Sequence, residues 1–230
     1  MSATVPTPAI AAAPRDVQRH PLLRRLAHWS LVLAIVIMLG SGWRIYNDVP
    51  ILPFEFPLWA TLGGNPDASY AQHNESGTAS AIAWHFAGMW LLLFGFLLYV
   101  IHSAATRHLT RDLLPVSPRA FLRDFTAAAT FRLGHRLGEY NMVQRVFYWG
   151  VLFAVAMMFL TGLAIWKPVQ LYPLAFLFGG FDIARIVHFF FMASIVGFMA
   201  IHVALVALVP KTLVAMVTGE ASAPAHGEHG

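Results

Sequence analysis

Cysteine is absent from this chain of 230 residues. That excludes disulfides, thiolate-held iron–sulfur clusters, c-type haem attachment and zinc ribbons. Any bound metal must be held by His, Met or oxygen ligands, and 11 His are available. Charge is scarce as well. Asp, Glu, Lys and Arg make up 11% of the chain, against roughly 25% in soluble domains. Apolar residues make up 58%, more than a soluble chain of this size can hide from water. Lipid is the natural solvent for such a sequence. The net charge of +4 is carried almost wholly by Arg. Its distribution fits a membrane-topology signal better than a nucleic-acid surface, and no nucleic-acid partner is expected.

Four stretches reach the roughly 20 apolar residues that a bilayer crossing needs. They run over about 26–46, 81–103, 146–166 and 183–209. A backbone in lipid must satisfy its own hydrogen bonds, so each is expected to be a helix. The fold class is therefore all-α, an integral membrane four-helix bundle over residues 21–219. Residues 1–20 and 220–230 read as disordered tails. The first of these is not a signal peptide, because Ala9–Ala13 is too short and its basic residues follow it. A fifth apolar piece, Pro168–Phe181, is too short to span and reads as interfacial or re-entrant.

Arginine sets the expected orientation. Arg15, Arg19, Arg24 and Arg25 precede the first span. Arg107, Arg111, Arg119, Arg123, Arg132, Arg136 and Arg145 lie between spans two and three. The loop between spans one and two holds only Arg44, against Asp48, Glu55, Asp67 and Glu75. The positive-inside rule then places both termini and the basic loop in the cytoplasm. Trp29, Trp43, Trp59, Trp149 and Trp166 lie near span ends, as an interfacial belt would.

A short internal repeat is visible. Trp29 precedes Gly42, Ile45 and Tyr46 with the spacing by which Trp149 precedes Gly162, Ile165 and Trp166. His85-Phe86 and His188-Phe189 open spans two and four. The pattern suggests two similar helical hairpins, although it is short enough for coincidence to produce.

Ionisable side chains within a bilayer are costly and face the bundle interior. Five His lie within the spans or at their ends. Topology puts His85 and His188 near the outer face, and His28, His102 and His202 near the inner one. Fourteen residues of helix bring His202 back to within about 40° of His188, some 21 Å along the axis. One helix face thus offers an imidazole near each leaflet, as two stacked haems require. His85 is placed to supply the second outer ligand and His28 the second inner one. Iron with two axial His favours electron transfer over oxygen binding. His102 is either a ligand in place of His28 or a surface or quinone-site residue. Interhelical hydrogen bonds or a proton path are the competing uses for any single His. A metal transporter would bring acidic or Met-rich clusters to the midplane, and the spans hold no acid beyond the helix-end Asp182. Gly88, Gly95, Gly150, Gly162 and Gly197 would admit either a haem or a close helix.

These residues resemble a known superfamily. Arg25-Leu-Ala-His28-Trp29, His85-Phe86, Tyr140-Asn141-Met-Val-Gln144-Arg145, Thr161-Gly162 and the His188/His202 pair are similar to the cytochrome b membrane subunits of respiratory oxidoreductases. These include formate dehydrogenase gamma, nickel–iron hydrogenase cytochrome b, thiosulfate reductase cytochrome b and bacterial cytochrome b561. The resemblance covers about Pro21–Gly219. It implies two b haems, one held by His85 and His188 and one by His28 and His202. It also implies an electron-carrying subunit of the bacterial inner membrane, linking the quinone pool to a catalytic or iron–sulfur subunit of a molybdenum oxidoreductase or hydrogenase. A stand-alone quinone-linked oxidoreductase, such as a superoxide oxidase, is the alternative. Tyr140, Asn141 and Gln144 would then lie at the quinone site, with helix capping the other use for Asn141 and Gln144. Arg24 and Arg25 would contact haem propionates or serve only as inside anchors. The long outer loop around Gly63-Gly64-Asn65-Pro66, the basic loop over Pro115–Gly138 and His102 depart from the formate dehydrogenase pattern.

Overall fold

The computed structural model describes residues 22–63, 78–107, 110, 113–114, 116–130, 141–208 and 210–219. The expected tails and the site residue Tyr140 lie outside the described residues. All regular structure among these residues is helical. In chain order it comprises α1 (Leu22–Asp48), a single 3-10 turn (Leu58–Ala60), α2 (Thr78–Ala105), α3 (Pro118–Ala129), α4 (Met142–Trp166), α5 (Tyr172–Leu177), α6 (Phe181–Leu208) and α7 (Pro210–Thr218).

Helices α1, α2, α4 and α6 are long and apolar enough to cross a membrane. At about 1.5 Å per residue each exceeds the roughly 30 Å hydrocarbon thickness. They leave Leu33, Val36, Phe94, Phe153 and Phe190 exposed, which only a lipid surrounding makes favourable. The chain is a multi-pass membrane protein. Ala34, Leu92, Ala154, Val155 and Ile195, drawn from all four long helices, form the bundle centre. Gly88 and Gly95 serve helix packing there: an added Cβ would lie 2.9 Å from Ile37 and 2.8 Å from Leu31 of α1. An added Cβ at Gly150 or Gly197 meets nothing within 4 Å.

The four long helices start slightly before the apolar windows, and α1 and α2 also end beyond theirs. α4 begins at Met142 because polar residues cap it, and hydropathy excludes polar residues. The Asn141 side chain accepts from the Gln144 amide (2.9 Å), and the Gln144 side chain accepts from the Asn141 amide (3.2 Å). Asp124 of α3 accepts from the Met142 amide at 3.0 Å, which holds its carboxyl below the usual range. A negative charge at a helix N-terminus is favourable. α3 thereby fastens the basic loop to the start of α4, a helix that the sequence reading left as loop.

At the opposite end the chain folds back along α1. The Asn47 side chain pairs with both backbone groups of Phe56 (2.8 and 2.9 Å). Trp43 stacks on Phe56 at 4.6 Å. The Leu62 amide returns to the Gly40 carbonyl at 2.9 Å. Arg185 of α6 donates to the Val49 carbonyl at 2.6 Å. Pro168–Phe181 forms a turn and the short α5, closed by Gly179 and Gly180 at φ +78° and +93°.

The repeat seen in the sequence has a structural counterpart. Adding 120 to a position on α1 gives its counterpart on α4; adding 103 to one on α2 gives its counterpart on α6. Under that shift the Tyr46–Phe189 contact (5.2 Å) maps onto Trp166–Phe86 (5.1 Å). α1 packs chiefly on α2, and α4 on α6. The bundle is two similar hairpins related by an approximate two-fold.

Candidate functional site: two histidine pairs

α2 and α6 each carry a histidine near the N-terminal end, and these meet: His85 and His188 have ring centroids 6.5 Å apart and planes at 57°. At the other end of α6, His202 meets His28 of α1 at 6.3 Å, also at 57°. Imidazole nitrogens sit ~2 Å from a bound metal. Two rings on opposite sides of one metal therefore have centroids about 6 Å apart, the separation seen in both pairs.

The His85–His188 pair has a tightly built surround. The Ser41 hydroxyl donates to the Ile37 carbonyl at 2.6 Å, and its oxygen lies 3.0 Å from His85 Nδ1. The Thr161 hydroxyl donates to the Met157 carbonyl at 2.6 Å, and its oxygen lies 2.8 Å from His188 Nδ1. These contacts are images of one another under the hairpin shift. Gly42 and Gly162 lie beside the same rings; an added Cβ would sit 3.3 Å from His85 Cε1 and 3.5 Å from His188 Cε1. The first is tighter than ordinary contact, so the His85 ring would have to give by a few tenths of an ångström, and the second is ordinary contact. If this pair holds a haem, as the sequence leads one to expect, Gly42→Ala should lower the haem retained after purification more than Gly162→Ala, which should stay near the parent level.

The His28–His202 pair is more open. His28 is half-buried and His202 is exposed. Trp29 lies edge-on to His28 at 5.5 Å, and Phe198 stacks on His202 at 5.9 Å. Phe198 also approaches Phe147 of α4 at 6.4 Å, which links His202 to the helix that Asn141 and Gln144 begin. Arg25 donates to the Met216 and Val217 carbonyls, and the Trp29 indole to Met216 (3.3 Å), so both side chains latch the end of α7 onto α1. Arg24 is placed only by its backbone, in the first turn of α1. His102 is exposed in the last turn of α2 and meets no other histidine among the described residues.

Sequence reasoning paired the four histidines but passed over Ser41, and quoted Thr161 only as part of a motif. The signal was present, since both precede the repeated glycine by one residue.

The sequence profile of the prokaryotic cytochrome b561 family matches residues 19–219. The chain belongs to that family. A relative from Azospira oryzae is 40% identical over 201 residues, covering 87% of this chain and 96% of its own length. It carries the provisional name protein-methionine-sulfoxide reductase subunit YedZ1. This cytochrome b561 is thus a membrane-embedded b-haem protein of electron transport. Its donor set fits the group: the described residues offer no cluster of three or more His, Asp or Glu, but pairs of imidazoles, as two axial positions need. Trp43 Nε1, one residue beyond Gly42, is buried without a protein partner among the described residues. It is a donor that a haem carboxylate would satisfy, and an unmet buried N–H costs roughly 1–3 kcal/mol.

Proposed function

We propose that this cytochrome b561 holds two b haems, one at His85–His188 and one at His28–His202, and that it moves electrons between a catalytic partner subunit and membrane quinone. The observation that carries the reading is the pair of imidazole couples, each at about the spacing of two axial ligands on one metal, spaced along a single helix. Haem bound between two imidazoles supplies one-electron transfer with both axial positions filled.

The arginine distribution supports placing the His28–His202 end and both termini in the cytoplasm, with a bacterial inner membrane as the setting. The His85–His188 end then faces outward. It presents an apolar surface, with Trp59 87% and Val169 81% exposed beside Leu58, Tyr172 and Phe176. Such a surface suits a docked catalytic subunit, and the relative's name, a reductase subunit, favours one.

The quinone site in this reading lies where α4 starts, reached from His202 through Phe198 and Phe147. The capping box uses the acceptor oxygens of Asn141 and Gln144. A quinone carbonyl needs donors, which their amide NH2 groups supply. The two roles are therefore compatible and separable. Asn141→Asp with Gln144→Glu keeps both capping acceptors and removes both donors. It should preserve haem content and lower quinone reduction by about tenfold or more, the loss expected for one or two hydrogen bonds. Unchanged quinone kinetics would move the site away from α4.

A further inference from the structure

We propose that Ser41 and Thr161 are positioning residues for the haem at His85–His188, each fixing the tautomer and ring plane of one axial ligand. The proposal rests on the assignment of those histidines as ligands made above. Each hydroxyl proton is engaged by a carbonyl one turn back in its own helix, at 2.6 Å in both hairpins. The oxygen that faces the imidazole can then only accept, so Nδ1 carries the proton at both rings. Nε2 is left with its lone pair as the ligating nitrogen.

Ser and Thr in membrane helices commonly bond back to their own carbonyls, and that alone would say nothing about the histidines. What is specific is the second contact. A Ser in one hairpin and a Thr in the other place an oxygen 3.0 and 2.8 Å from Nδ1 of the paired rings. Gly42 and Gly162, next along each helix, let the ring edges lie against the helix beside those oxygens. Among the described residues this device is seen at the His85–His188 pair. An acceptor on the far nitrogen raises the basicity of a ligating imidazole and fixes its orientation. A more basic ligand favours ferric iron, so losing the acceptor raises the potential of that haem.

The test uses full-length protein purified in detergent: Ser41→Ala, Thr161→Ala, the double variant, and the conservative Ser41→Thr and Thr161→Ser. Potentiometric titration and low-temperature electron paramagnetic resonance of the ferric protein are the readouts. Each Ala variant should raise the potential of the same single haem and move its low-spin g-values. The other haem should be unchanged, and the conservative variants should return to the parent signature. Loss of that haem alone from the double variant would also support the proposal. Parent-like potentials and g-values in the double Ala variant, or equal shifts of both haems, would overturn it. Failure of the ligand assignment itself is distinguishable, because His188→Ala would then leave both low-spin signals intact.

Discussion

His188→Ala should leave the protein with about half its haem, the remainder still low-spin with two axial imidazoles. The side chain lies on α6 against Thr161 and Gly162, and no other described histidine approaches His85. Truncation removes one axial position and leaves His85 alone. The His28–His202 pair lies 14 residues along α6, about 21 Å away, and shares no contact with the altered position. Its haem should keep the parent spectrum. Pyridine haemochrome analysis and redox titration of the purified variant read the outcome; loss of both haems, or of neither, would contradict the assignment.

His202→Ala should remove the other haem and abolish quinone reduction, while the His85–His188 haem remains reducible by an added donor. The expected loss exceeds that of the α4 substitutions, because His202 is an axial ligand in this account, whereas Asn141 and Gln144 only orient the acceptor. Phe198 and Phe147, which lead from His202 to α4, should stay in place, since both belong to apolar helix faces. Stopped-flow reduction followed at the haem Soret band separates the two events. Residual quinone reduction at the parent rate would place the exit for electrons at the His85–His188 end.

The spans were legible because bilayer thickness imposes a length and composition that few other constraints mimic. Helical periodicity put His188 and His202 on one face of α6, and the partners His85 and His28 came from where each falls along its own span. What escaped was tertiary. Capping of α4 by Asn141 and Gln144 was one of the two uses that the sequence offered for them, whereas the support from Asp124 of α3 was not visible there. Arg25, which the sequence offers as an anion partner or an inside anchor, also donates to backbone carbonyls at the end of α7, nearly two hundred residues away in the chain. Such long-range backbone contacts leave no local pattern. The fold-back of 49–62 rests on Asn47 and Tyr46 side chains imitating backbone partners, which spacing does not reveal. Ser41 and Thr161 were within reach of sequence reasoning, because the repeat that was noticed at Gly42 and Gly162 also aligns them.

The haem-to-protein ratio of the purified, unaltered chain tests the central claim most directly. Acid–organic extraction should release all of the haem, since no cysteine is present to bind it covalently. Quantified against amino-acid analysis, the account predicts two haems per chain; a ratio of one would contradict it.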